Sequence, residues 1–181
     1  MRKFKHFVLY VLVSVLVGFS SCSDDDSDGG PITAAPGTVT ASIDGSNFQS
    51  LEISSSATKS TQGQFVNLTI IGTSQHASGI TLNIMGYDGP GTYNFDGSIT
   101  TGVNIATYSE TDVNINNPVN SSTELWQAPY ENLNVGSVII TEETASNIKG
   151  SFEFDAKNLA GDNSIKSVTS GSFDLNLNVI N

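Results

Sequence analysis

The chain has 181 residues, with 18 acidic and 7 basic side chains, a formal net charge of −11 at pH 7, one cysteine and two histidines. A single cysteine excludes an internal disulfide framework, and this Cys/His inventory is too small for a zinc cluster. So few cations argue against nucleic acid and phosphate ligands, which need basic grooves and bidentate arginine.

Arg2, Lys3 and Lys5 precede an apolar run from Phe7 to Phe19, broken only by Ser14 and Gly18 and followed by Ser20-Ser21-Cys22. Basic, apolar and small segments in this order form a secretory signal. The alternative is a transmembrane helix, but a run of this length rises roughly 20 Å, short of the roughly 30 Å hydrocarbon core. Residues 1–21 are therefore expected to be a lipoprotein signal peptide, cut before Cys22. A cysteine thiolate is the nucleophile that can take a diacylglyceryl group. Ordinary cleavage leaving a free thiol is the competing expectation, and Phe19 stands where such signals usually carry leucine. One acyl chain binds a membrane only marginally; the rule for bacterial lipoproteins implies three. Cleavage would remove three bases and no acid, leaving 18 acids against Lys59, Lys149, Lys157 and Lys166, a formal charge of −14. Such a chain has no arginine and no affinity of its own for anionic lipid.

Residues 22–37 read as a lipidated, acidic, flexible tether. Ser23-Asp24-Asp25-Asp26-Ser27-Asp28-Gly29-Gly30-Pro31 offers like charges, loose glycines and nothing to bury. From Ser23 to Gly37 such a coil has a root-mean-square reach of roughly 20 Å. The run also resembles the export signal of surface-exposed lipoproteins of Bacteroidota, a serine followed by acids directly after the lipidated cysteine. Ser23, Asp24, Asp25 and Asp26 match it. The resemblance implies an outer-membrane lipoprotein facing outward, handled by lipoprotein processing and export machinery.

From Thr38 the apolar period is two nearly everywhere, the signature of strands with one buried face. Val66, Leu68 and Ile70 alternate with Asn67 and Thr69, and Ile80, Leu82 and Ile84 with Thr81 and Asn83. Phe152, Phe154 and Ala156 alternate with Glu153, Asp155 and Lys157; Phe173, Leu175, Leu177 and Val179 close the chain in the same way. The pattern predicts strands at 39–43, 47–53, 64–73, 79–85, 91–95, 103–109, 136–141, 147–157 and 166–179. Asp44-Gly45 is a two-residue hairpin signal, and Gly161-Asp162-Asn163 should turn a second hairpin that sets Phe152 and Phe154 beside Phe173 and Leu175. Leu125 to Asn134 is expected to hold at most a short turn, because Pro129 interrupts it. The expected fold is all-β, an antiparallel β-sandwich of about nine strands or a partly closed antiparallel barrel, in a single domain over residues 38–181.

A second resemblance rests on Ala41-Ser42-Ile43-Asp44-Gly45-Ser46-Asn47-Phe48, Gly136-Ser137-Val138-Ile139-Ile140-Thr141, Gly150-Ser151-Phe152-Glu153-Phe154 and Gly171-Ser172-Phe173. Together these are similar to an uncharacterised family of Bacteroidota lipoproteins. That family carries an opening Asp-Gly strand before an aromatic, then Gly-small-Phe-x-Phe and closing Gly-x-Phe strands. It has no assigned activity, so no catalytic residue carries over.

Candidate sites are few. His76 lies in a polar stretch between strands, where a solvated loop histidine is expected, and no G-x-S-x-G turn accompanies it. Asp112-Val113-Asn114-Ile115-Asn116-Asn117 has the oxygen spacing of a calcium loop's start, but Asn117 takes the glycine place and Thr123 the glutamate place. Trp126 and Tyr130, flanking Pro129, are either a stacking platform for a sugar ring or, for Trp126, part of the β core. A glycosidase would need two carboxylates about 5–10 Å apart; Glu142-Glu143, Glu153 and Asp155 are expected at a hairpin tip and on a wet strand face. The leading expectation is a non-catalytic, lipid-anchored surface module for binding or envelope structure, with no cofactor. A glycan-binding accessory of an outer-membrane uptake system, using Trp126 and Tyr130, is the alternative, and a carboxylate-dependent hydrolase the second alternative.

Overall fold

A computed structural model describes residues 33–97 and 102–180. The expected signal peptide, Cys22 and the acidic run Ser23 to Asp26 lie outside the described residues.

Ten strands form: β1 Thr38–Ile43, β2 Ser46–Gln62, β3 Phe65–Ser74, β4 Ser78–Met85, β5 Gly91–Asp96, β6 Ile105–Asp112, β7 Ser122–Ala128, β8 Asn134–Glu143, β9 Asn147–Lys157 and β10 Ile165–Ile180. The one helical turn among the described residues is a 3-10 turn at Pro118–Asn120. The period of two does what it predicts. Leu68, Ile70, Ile80, Leu82, Ile84, Phe152, Phe154, Phe173 and Leu175 all turn inward and are buried. Fully burying each such side chain contributes about 1.5–3 kcal/mol. Asp44 (φ 49°) and Gly45 (φ 84°) both take the left-handed conformation that a two-residue hairpin needs. The β9–β10 hairpin forms around Gly161–Asn163, with the Phe152 and Phe173 rings stacked at 6.4 Å.

The strands make one sheet in the order β1-β10-β2-β3-β4-β6-β7-β9-β8-β5, and additional pairing of β10 with β9 and of β1 with β2 closes it into a ring. All pairings are antiparallel except β2 with the end of β10, Leu177↔Ala57 to Ile180↔Ser60. The ring fits both expected descriptions, a sandwich and a partly closed barrel. Its interior is filled by one continuous apolar cluster. The closure is thinnest between β7 and β9, where Gln127↔Lys157 is the single register pair. Where β5 has no backbone ladder to β4, a side chain substitutes: the buried Asn104 accepts from Met85 N–H (3.0 Å) and donates to the Asn94 carbonyl (3.0 Å).

Two elements differ from expectation. Residues 122–128 form β7 rather than part of a turn, and Pro129 follows the strand instead of interrupting it, through a cis Ala128-Pro129 bond. Strand β2 runs to Gln62, well past the expected end at residue 53, because a bulge lets it continue after its polarity pattern breaks.

Candidate functional site

That bulge shapes a cleft at one end of the sheet. The first residues of β2 pair with β1, Thr40↔Gln49 to Ile43↔Ser46. Strand β1 begins at Thr38, and beyond that point β2 moves sideways to lie against β10. On its other edge, Ser50 faces Ser74 of β3, but the next partner of Gly72 is Ser55. Three extra residues are thus absorbed between Ser50 and Ser55. Serine hydroxyls hold the jog in place. Ser50 Oγ takes the Val39 N–H (2.7 Å) and lies 2.6 Å from Ser55 Oγ; Ser54 Oγ donates to the Thr73 carbonyl (2.6 Å) and Ser55 Oγ to that of Leu51 (2.7 Å). The bulge pushes Ile53 into solvent, 95 % exposed.

Because β3 stops at Ser74 while β2 continues back to Ser46, a cleft of about 610 Å³ opens between the β1–β2 hairpin and the β3–β4 turn. One wall is Ser46 to Leu51 of β2; the other is Ser74, Gln75, His76 and Ser78, with Tyr108 also lining it. Ser74 Oγ accepts from the His76 and Ser78 backbone N–H groups (3.2 and 3.3 Å), which fixes the turn. His76 itself is exposed, with the Gln75 amide 3.3 Å from its Nε2. The lining is mostly neutral amides and hydroxyls, with Glu52 at one end. Burial, then the hydrogen bond to Glu110, pushes the Tyr108 hydroxyl up to about 12, so it stays protonated. The signal for this site in the sequence is a parity change: Phe48 and Ser50 point inward at even positions, Ala57 at an odd one.

The sequence candidates fall elsewhere. Trp126 sits in the core, 2 % exposed, with Nε1–H donated to Ser164 Oγ (2.9 Å) and its ring 5.8 Å from that of Tyr108. It takes the core alternative, and its ring presents no open face for a sugar. Tyr130 is half-buried beneath Lys157, whose Nζ lies 5.8 Å from the ring centroid. Asn114 Oδ1 accepts from Asn116 and Asn117 N–H (3.2 and 2.9 Å), so the calcium-like spacing serves a local turn. Glu142, Glu153 and Asp155 are exposed on their strands. Each of the four lysines among the described residues is tied to a carboxylate: Lys59 to Glu143, Lys149 to Asp174, Lys157 to Glu131, and Lys166 to both Asp44 and Glu110.

Glu142 and Glu143, expected at a hairpin tip, instead lie in the ladder at the end of β8, paired with Lys149 and Ile148, and Glu143 closes a clasp. Its carboxylate accepts from Lys59 of β2 and from the Tyr87 hydroxyl (2.5 Å), and Tyr87 packs on Tyr93 of β5 at 5.5 Å. Burial pushes the Glu143 carboxyl up, but hydrogen bonds from Lys59 and Tyr87 and the ammonium charge outweigh it and hold the group below its ordinary 4.5. Burial first, then the bond to Glu143 and its charge, push the Tyr87 hydroxyl well above 10.0. The depressed carboxyl contributes stability above its unfolded value, lost as pH falls through the folded one. The raised hydroxyl contributes stability below pH 10, lost as pH rises through its folded value. Urea midpoints should therefore fall on the acid side below about pH 4.5 and on the alkaline side above about pH 10, and Glu143→Gln should flatten the acid limb and only soften the alkaline one, which burial of Tyr87 sustains, at a cost of about 1–2 kcal/mol at neutral pH. Midpoints as steep in the variant as in the parent would place the titrating groups elsewhere.

A family profile described as Domain of unknown function (DUF6252) matches residues 36–175, from just before β1 into β10. No curated protein and no solved structure matches the chain. The profile spans β1 to β9 and most of β10, with the jog in β2 and the cleft beside it, and on that match the chain belongs to the DUF6252 family.

Proposed function

We propose that the chain is a lipid-anchored, surface-exposed lipoprotein of a bacterial outer membrane whose β domain serves as a non-catalytic binding or structural module. One observation carries the reading: the only cysteine stands at the junction of an apolar secretory run and a Ser-Asp-Asp-Asp sequence. The likeness of Ser23 to Asp26 to the export signal of Bacteroidota surface lipoproteins supports the outward orientation. Ala34 is buried with its N–H donated to Ser172 Oγ, and Gly37 N–H bonds the Asp174 carbonyl, so a leash from Ser23 would end before Ala34 and not at Gly37, with a reach of roughly 18 Å. The pairing of all four described lysines with carboxylates supports a partner that is not a polyanion.

The test is made in the native host. Cys22→Ala should abolish incorporation of labelled fatty acid and release the protein from the membrane fraction. Protease shaving of intact cells should remove the parent protein, while replacing Asp24, Asp25 and Asp26 by alanine should protect it. Continued acylation of Cys22→Ala would sink the anchor; continued shaving of the alanine variant would reduce the acids to a spacer.

A further inference from the structure

We propose that the open edge of β2 from Ser46 to Gln49 is a docking rail on which an extended, neutral-to-basic peptide of a partner protein adds a short strand inside the cleft. The proposal rests on the reading of the chain as a binding module and supplies its partner chemistry.

Antiparallel pairing with β1 uses the backbone groups on one edge of Ser46–Gln49, and alternate residues point their N–H and C=O the other way. On that other side β3 ends at Ser74, opposite Ser50, and no strand among the described residues pairs with the four positions before it. Folded β proteins usually pair, cover or charge such an edge. Here it faces Gln75 and His76 across the 610 Å³ cleft. A volume of this size lies within the roughly 300–1,000 Å³ of ordinary ligand sites. Four residues give a rail of roughly 13 Å, enough for main-chain hydrogen bonds to a short strand, with Asn47, Gln49 and Leu51 along the same face to select alternate side chains.

Charge narrows the occupant. No lysine lines the cleft, and Glu52 at its end has no ion pair among the described residues. The described residues carry fourteen acids against four lysines. An acidic peptide is repelled and a basic one favoured; a second copy of this acidic chain is disfavoured for the same reason. A glycan lacks a stacking face, because the aromatic side chains lining the cleft, Phe48 and Tyr108, are 6 % and 4 % exposed.

The experiment pans the full chain, purified in detergent, against displayed random dodecapeptides and follows the enriched peptides by amide hydrogen exchange. Enrichment of β-branched residues with Lys or Arg is expected, together with slowing of exchange by about tenfold or more at alternate amides of Ser46–Gln49. N-methylating alternate peptide residues should cost about tenfold in affinity in one register and little in the other. Gln75→Trp, which fills the cleft from an exposed turn, should lose about tenfold in affinity at unchanged melting temperature. Absence of enriched peptides, binders that protect other amides, or indifference to N-methylation would overturn the proposal. So would a soluble oligosaccharide, or self-association of the chain, that protects these amides where no peptide does. Peptide binding should survive in Cys22→Ala, so failure of the anchor and failure of the rail are read separately.

Discussion

Gly136→Ala is expected to destabilise the domain by at least about 3 kcal/mol, a large share of the 5–15 kcal/mol typical of a domain. A Cβ at position 136 would lie 2.1 Å from the Glu153 carbonyl oxygen and 2.5 Å from Phe154 Cα. Both are backbone atoms of the neighbouring strand, so no rotamer change relieves the overlap. The φ of +152° adds strain for any residue with a side chain, about 1–3 kcal/mol. Relief requires β8 to lift from β9 where Gly136 faces Phe154, and Phe154 holds Phe95 edge-to-face at 5.7 Å in the core. Gly63→Ala is the control. It also has positive φ (66°) but nothing within 4 Å of an added Cβ, so it should cost only about 1–2 kcal/mol. Urea unfolding followed by far-ultraviolet circular dichroism compares the two. Equal losses in both variants would show that conformation alone, and not the approach of β8 to β9, sets the cost.

The sequence carried the β class and most of the ring because most strands bury a whole row of apolar side chains at one parity. Strands β3, β4, β9 and β10 each keep three or more such residues, and each was legible to within a few positions. Strand β7 was not, since only Trp126 and Ala128 turn inward and Leu125 is exposed beside them. Two alternating residues before a proline do not distinguish a strand from a turn. The second half of β2 was hidden for a different reason: the row that carries Ala57 otherwise holds Ser55, Lys59 and Thr61, and the bulge shifts its parity. Order of strands was not readable either. The pairing of β10 with β2, of β7 with β9, and the placement of β5 outside β8 depend on long-range register that no local pattern encodes. Of the candidate site, its hydroxyl and amide side chains were visible, but their convergence required knowing that β3 ends opposite Ser50.

Trp126→Ala should cost about 3–5 kcal/mol, the range for removing a buried aromatic from a packed core. The reason lies in the seam it fills. Backbone pairing between β7 and β9 is a single register pair, so side-chain burial has to hold these strands together. Trp126 packs on Tyr108 of β6, bonds Ser164 ahead of β10, and lies beneath Lys166, whose Nζ is 5.2 Å from the ring. Lys166 in turn pairs with Asp44 in the β1–β2 turn and with Glu110. One ring therefore couples the weakest closure of the barrel to the hairpin that walls the cleft. Trp126→Phe separates the contributions: it keeps most of the buried area and removes the bond to Ser164, so about 1 kcal/mol should be lost. Because Trp126 is the only tryptophan, the alanine and phenylalanine variants are followed by circular dichroism, and the parent gives an independent reading by fluorescence. Its emission should be blue-shifted and shielded from iodide in the folded protein. A ring on an open binding surface would instead be quenched freely, and its loss would fall within about 0.5 kcal/mol. That result would return Trp126 to the role of a ligand platform and would leave the β7–β9 seam without its explanation.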